Sequence, residues 1–207
     1  MNLVFDFGAV LIAWQPAQLV ATYFPELAGT PQTAQRLASS IFSHDDWRSF
    51  DRGTLTQDDV VQRTGQRLTL PHAALHDLVM GIGERLAPIN DTVSVLADLV
   101  HRRQLRSDVR LYFLSNMPAP YARTLEQMHL FLQWFDGGIF SGDVHHIKPE
   151  LAIYQLLQTR YALDPKRTLL IDDLKDNVDA ACGLGWRGIE FVSAQQLRRS
   201  LANWLSP

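Results

Sequence analysis

The stretch Thr168-Leu-Leu-Ile-Asp-Asp-Leu-Lys-Asp-Asn177 constrains the fold more than any other part of this chain. Leu169, Leu170 and Ile171 form an apolar run without polar alternation, as in a parallel strand buried on both faces. The run stops at Asp172 and Asp173. From Leu174 the spacing turns helical, with Val178, Ala181 and Leu184 on one face and Gly185 in the place of a C-terminal cap. Strand, carboxylate pair and helix in that order put two acids at the carboxyl end of a central strand, where open α/β sheets hold their ligands. Either aspartate alone would also suit the role of a helix cap. What favours a functional pair is a second strand that ends in aspartate.

That second strand opens the chain. Leu3-Val4-Phe5 runs into Asp6 and is followed by Phe7-Gly8-Ala9-Val10-Leu11-Ile12, where Gly8 is expected to permit a tight, non-standard backbone. From Pro16 to about Leu86 the pattern is helical instead. Apolar residues recur at Leu19, Val20 and Tyr23, at Ala34, Leu37, Ala38 and Ile41, at Val60, Val61 and Leu68, and at Leu75, Leu78 and Val79. Breaks at Pro25, Gly29-Thr-Pro31, Asp51-Arg-Gly53 and Leu70-Pro71 divide this region into about four short helices. After Pro88 the α/β alternation resumes. Strands are expected at Val109–Leu114, Gly138–Ser141 and Gly188–Val192, and helices at Asn90–Leu99, Tyr121–Leu132, Ile153–Thr159 and Ala194–Trp204. The expected fold is α/β: a doubly wound, Rossmann-like, mostly parallel core over 1–14 and 88–207, with an inserted helical cap over 15–87.

Bulk properties exclude several classes. A net charge of −3 over 207 residues argues against a nucleic-acid or membrane partner. The one cysteine, Cys182, is expected inside a buried helix, so no disulfide framework exists and a reducing compartment follows. Met1-Asn-Leu-Val-Phe-Asp6 lacks the basic region of a signal peptide, and no uncharged apolar run approaches the roughly 18 residues that span a bilayer. A soluble, cytoplasmic protein is expected.

Polar signatures now stand at the ends of strands or in the loops that follow: Asp6, Ser115-Asn116, Lys148 and Asp172-Asp173. In this order and spacing they resemble the haloacid dehalogenase superfamily, most of whose members are phosphatases. Phe5-Asp-Phe-Gly-Ala-Val-Leu11 is similar to its first motif and Phe113-Leu-Ser-Asn116 to its second. Ile147-Lys-Pro-Glu150 is similar to the third, and Ile171-Asp-Asp173 through Asn177 to the fourth. Trp47 with Phe50-Asp-Arg-Gly53 resembles the helical (C1-type) cap of subfamily I. Within the superfamily the pattern is most similar to the branch of α-glucose-1-phosphate phosphatase and the phosphatase domain of soluble epoxide hydrolase.

The resemblance implies a Mg²⁺-dependent phosphatase that hydrolyses a small phosphorylated metabolite, such as a sugar phosphate, through an aspartyl-phosphate. Asp6 would be the nucleophile. Asp6, Asp173 and the carbonyl of Gly8 would hold Mg²⁺, a hard cation that prefers oxygen ligands. Ser115, Asn116 and Lys148 would bind the phosphoryl group, with Lys148 also keeping Asp6 ionised. Asp172 and Asn177 would orient the lysine and the metal's waters. His44, Trp47 and Arg52 are the cap residues expected near the substrate.

Gly8 departs from the family pattern, in which a second aspartate there serves as general acid and base. Such catalysis contributes about 10²–10⁴-fold, so either the rate is low or another group substitutes; His44, Asp45, Asp46, His145 and His146 are the candidates in the sequence. Two rival readings stand beside the phosphatase. A haloacid dehalogenase would use the same aspartate without a metal, and a catalytically weak fold would bind a phosphometabolite or a protein partner.

Overall fold

The computed structural model describes residues 1–106 and 109–205. Five strands form one sheet: β1 (Asn2–Phe5), β2 (Arg110–Ser115), β3 (Gly137–Phe140), β4 (Thr168–Asp172) and β5 (Arg187–Glu190). All pairings are parallel, in the order β3-β2-β1-β4-β5. β1 is central, and the chain leaves it to build β2 and β3 on one side before returning to build β4 and β5 on the other. The crevice at such a reversal lies at the carboxyl ends of β1, β2 and β4.

Alternate residues of the strands feed two cores, as the two-residue period of a strand requires. On one face Val4, Tyr112, Leu114 and Leu170 pack against α8 (Leu151–Arg160) and α9 (Lys175–Gly183) through Ile153, Tyr154, Leu157 and Ala181. On the other face Leu3, Phe5, Leu111, Leu169 and Ile171 meet α6 (Asn90–Arg106), α7 (Ala119–Met128) and α10 (Ala194–Leu205). The doubly wound α/β expectation is met.

Between β1 and α6 lie five helices: α1 (Pro16–Tyr23), α2 (Pro31–Phe42), α3 (Asp45–Asp51), α4 (Gln57–Leu68) and α5 (His72–Arg85). Thr30 and Thr56 start α2 and α4 with reciprocal capping boxes to Thr33 and Asp59, which satisfy two orphan donors each. The periodicity had shown four helices because α3, at seven residues, is too short to display a helical repeat. The chain enters and leaves this region side by side. Ala13 N–H donates to Ala87 at 2.8 Å, Ile89 N–H donates to Leu11 at 2.8 Å, and Ile12 bridges Pro88. We place the two ends of the insert, 15–87, at this crossing. Its apolar residues join the same continuous core as β1, through contacts such as Phe50 edge-on to Tyr121 at 5.4 Å.

Two local expectations need correction. The left-handed residue after β1 is Ala9 (φ 55°) and not Gly8, which is absent from the positive-φ positions. Cys182 is exposed, because α9 is amphipathic and turns Ala181 to the core instead. Gly185, with φ 84°, does follow α9 in a left-handed conformation. Among the described residues no helix is long and apolar enough to cross a membrane.

Candidate active site

The charged groups at the base of the cleft, and Ser115 beside them, are placed by strand ends or by the loops after them. Asp6 follows β1, Ser115 ends β2, Asp172 ends β4 and Asp173 follows it. Lys148 arrives from the loop after β3, whose course is held by Asn116. The Asn116 side-chain amide donates to the Lys148 carbonyl at 2.9 Å, and its oxygen accepts from the Lys148 N–H at 2.7 Å. The Lys148–Pro149 peptide is cis.

Lys148 is buried between two carboxylates. Its Nζ lies 2.9 Å from Asp6 Oδ1 and 2.6 Å from Asp172 Oδ2, with 1% of the side chain exposed. Burial alone would lower its pKa, but Asp172 and Asp6 overcome this and hold the ammonium above its usual range. The two aspartates are used differently. Asp172 has both oxygens committed: Oδ2 to Lys148, and Oδ1 to the Leu174 N–H and the Asn177 amide, each at 2.9 Å. Asp6 receives Lys148 and the Phe7 N–H, at 2.7 Å, both on Oδ1. Its Oδ2 therefore has no protein partner among the described residues. The Ser115 hydroxyl, in a residue 1% exposed, also makes no hydrogen bond among them.

The charge balance of the cleft is incomplete. Asp6, Asp172 and Asp173 bring ligand oxygens within 4.8 Å of one another, against the single ammonium of Lys148. Burial, then the Asp172 charge, raises the Asp173 pKa; burial also raises Asp6, with Lys148 pulling it down. Two formal negative charges in excess, offered by oxygen ligands only, fit a divalent hard cation such as Mg²⁺. Asp172 is the poorest ligand of the three because its oxygens are already spent. Asp6 and Asp173 line the same cleft as Gly8, and Asp6 Oδ2 has no protein partner among the described residues.

Above these groups opens a cleft of about 300 Å³ that also reaches Gly8, Ser115, Asn116 and Asn177. Its far wall is apolar, built from Trp14, Phe42, Trp47, Ile82, Leu86 and Met117. Of the three cap residues expected near the substrate, Trp47 lines this wall. His44 instead caps α3, its Nδ1 accepting from the Asp46 N–H at 3.1 Å. Arg52 borders an outer groove, and its guanidinium forks onto Glu150, with one N–H···O of 2.8 Å.

The five candidates for a replacement acid–base all lie outside the cleft wall. Asp46 is ringed by His44, Arg63 and Arg67, Asp45 projects into solvent beside Arg48, and the His145 ring sits on the Arg52 carbonyl at 3.0 Å. His146 lines neither the cleft nor the groove. A residue that sequence reasoning did not single out does line it: Asp51, at the end of the unrecognised helix α3. Its only sequence signal was its place in the Phe50-Asp-Arg-Gly53 pattern.

The five-stranded parallel sheet thus carries its polar cleft at the carboxyl ends of the central strands, with helices inserted after β1. No family model matches the chain. A sesquiterpene phosphatase of Aspergillus oryzae, astK, is 27% identical over 192 residues, covering 92% of this chain and 89% of that protein. A haloacid dehalogenase family enzyme of Bacteroides thetaiotaomicron, solved with magnesium and inorganic phosphate, superposes with a TM-score of 0.67 at 19% identity over 91% of this chain and 92% of its own. The L-2-haloacid dehalogenase of Xanthobacter autotrophicus superposes at 0.66 with 20% identity, over 97% and 82%. The likeness to these solved structures is one of fold.

Proposed function

We propose that the protein is a Mg²⁺-dependent phosphatase for small phosphate monoesters whose organic body is apolar. The observation that carries the phosphatase reading is the asymmetry of Asp6. One of its oxygens is fixed by Lys148 and the Phe7 N–H, while the other faces the cleft without a partner. That is the arrangement of a positioned nucleophile.

Asp6 Oδ2 attacks phosphorus, the ester P–O bond breaks, and the phosphoryl group is carried on Asp6. Water then attacks this phosphorus, the bond to Asp6 breaks, and phosphate leaves with the carboxylate restored. Lys148 and the Ser115 hydroxyl point donors at the phosphoryl oxygens. Asn116, whose side chain brackets the Lys148 backbone with one bond given and one accepted, positions that loop. Asp172 and Asn177 hold the ammonium in place. Asp6, Asp173 and the Gly8 carbonyl would hold Mg²⁺, which would supply positive charge to offset the repulsion between phosphate and the carboxylates. A metal-free dehalogenase gives no use to Asp173, a strand-end carboxylate left without a cation.

The substrate class follows from the far wall. Sugar hydroxyls set against Trp14, Phe42, Trp47, Ile82 and Leu86 would leave water without replacement partners, at about 1–3 kcal/mol for each unmade hydrogen bond. A hydrocarbon body gains about 25 cal/mol for each Å² it buries there. The sequence relative named as a sesquiterpene phosphatase supports the same reading. The test compares octyl and farnesyl monophosphates with glucose 1-phosphate, with Mg²⁺ and with EDTA. Hydrolysis of the apolar esters with higher kcat/KM supports the proposal. Preference for the sugar ester overturns the substrate class, and absence of any Mg²⁺-dependent hydrolysis overturns the phosphatase.

A further inference from the structure

Gly8 leaves a hole in the machinery. A side chain there would meet nothing within 4 Å, so the cleft has room for the missing carboxylate and lacks only the group. A phosphate monoester of an aliphatic alcohol needs a proton at its departing oxygen, and the aspartyl-phosphate needs a base for its water. Neither Asp6 nor Asp172 is available for this work. One is the nucleophile, and the other is committed on both oxygens.

We infer that Asp51, reaching the cleft from α3, performs these proton transfers as general acid and then general base. The inference rests on the phosphatase reading above. Asp51 stands one helical turn after Trp47, so both present the same face of α3 to the cleft that holds Asp6, Gly8 and Lys148. Its carboxyl forms no hydrogen bond or ion pair among the described residues, and the residue lines both the cleft and the adjoining groove. Burial, with no cation beside it, raises its pKa well above the usual carboxylate range, so it begins the cycle with a proton to give.

The end of α3 is also fixed to the core at the point where precision matters. Ser141 Oγ donates to the Asp51 carbonyl, Arg52 forks onto Glu150, and the His145 ring meets the Arg52 carbonyl at 3.0 Å. Next to it Gly53, at φ 78°, lies so close to the Gly142 carbonyl that a Cβ would stand 2.5 Å from its oxygen. The same loop continues from Gly142 to Lys148. The acid and the phosphate-binding lysine are thus held by one junction.

The steps balance. As Asp6 bonds to phosphorus, the ester oxygen leaves with the electron pair of the P–O bond and takes the proton of Asp51, giving alcohol and an Asp51 carboxylate. That carboxylate then removes a proton from water as the water oxygen attacks phosphorus. Phosphate and the Asp6 carboxylate are released, and Asp51 is again protonated.

The test uses Asp51→Asn, an uncharged isostere, with Mg²⁺ and two esters of different leaving group. With octyl phosphate, whose alkoxide needs the acid, kcat should fall about 10²–10⁴-fold while KM changes little. With p-nitrophenyl phosphate, a rapid burst of p-nitrophenolate should survive and the steady state should slow, with phosphoenzyme accumulating on Asp6. Adding Gly8→Asp to this variant should restore at least about tenfold of the octyl phosphate turnover. Asp51→Ala is read by the same assay if the asparagine variant does not fold. Wild-type-like octyl phosphate turnover in either variant, or equal loss of burst and steady state, would overturn the assignment of Asp51 alone. A wild-type protein that hydrolyses neither ester would instead remove the phosphatase reading on which the assignment rests.

Discussion

Lys148→Met keeps the length and apolar stem of the side chain and removes only the ammonium. In the folded protein that ammonium sits 2.9 Å from Asp6 and 2.6 Å from Asp172, with the Asp172 side chain fully buried. Removing one member of a buried ion cluster costs about 3–5 kcal/mol, because the partner charge is left uncompensated. Asp172 keeps its bonds from Leu174 and Asn177, which favours the lower end, about 3 kcal/mol. In a chain of this size each kcal/mol moves Tm by about 2–4 °C, so the expected loss is about 6–12 °C. The pH dependence has a definite sign. Burial already raises the folded pKa of Asp6 above 3.8, and the loss of Lys148 removes the main pull in the other direction. Between the unfolded and the raised folded pKa the native state binds more protons than the unfolded one, so stability falls as pH rises through that window. The deficit against wild type should accordingly be larger at pH 8 than at pH 5. Differential scanning calorimetry in EDTA at both values measures it without interference from metal. A Tm at pH 8 within 2 °C of wild type, or a deficit that grows on acidification, would refute the buried charge cluster.

Asp6→Asn should abolish both turnover and phosphoenzyme, since an amide does not accept the phosphoryl group; retained hydrolysis by stopped assay would move the nucleophile elsewhere. Wild-type protein should gain thermal stability in millimolar Mg²⁺, about 2.7 kcal/mol at a hundred times Kd, and Asp173→Ala should lose that gain while keeping its fold by circular dichroism. An undiminished Mg²⁺ shift in the variant would contradict the ligand assignment. Gly53→Ala should be destabilised by more than the roughly 1–2 kcal/mol of a left-handed non-glycine residue, because its Cβ also meets the Gly142 carbonyl; an unchanged urea midpoint would show that the junction yields freely.

Some features were legible along the chain because their causes are local. The apolar runs at Leu3–Phe5 and Leu169–Ile171 needed only their lack of alternation to be read as buried parallel strands, and both lie at the centre of the sheet. Asp6 and Asp172-Asp173 were visible as polar interruptions where such runs end. Thr56 signalled the start of α4 because a cap and its partner Asp59 lie within one turn. Signals failed where the cause was not local. Helix α3 shows too few turns for a period, and it persists because Trp47 and Phe50 are packed by Phe42 and Tyr121 from other helices. Gly8 was read as a backbone device, whereas the left-handed residue is its neighbour Ala9 and the effect of Gly8 is open space in the cleft.

The sequence by itself determined the α/β class, the strand ends that carry charge and the absence of an acid two residues after Asp6. Those properties depend on residue type and spacing over a few positions. Tertiary structure alone decided which oxygen of Asp6 is free, that Asp172 is spent on Lys148, Leu174 and Asn177, and that Arg52 clamps Glu150. It also decided that an apolar wall and Asp51 line the same cleft as Asp6 and Lys148. These depend on residues far apart in the chain meeting in space, such as Arg52 and Glu150, 98 positions apart. No local pattern encodes such a meeting, because the energy that fixes it comes from burial and pairing that exist only once the chain has closed on itself.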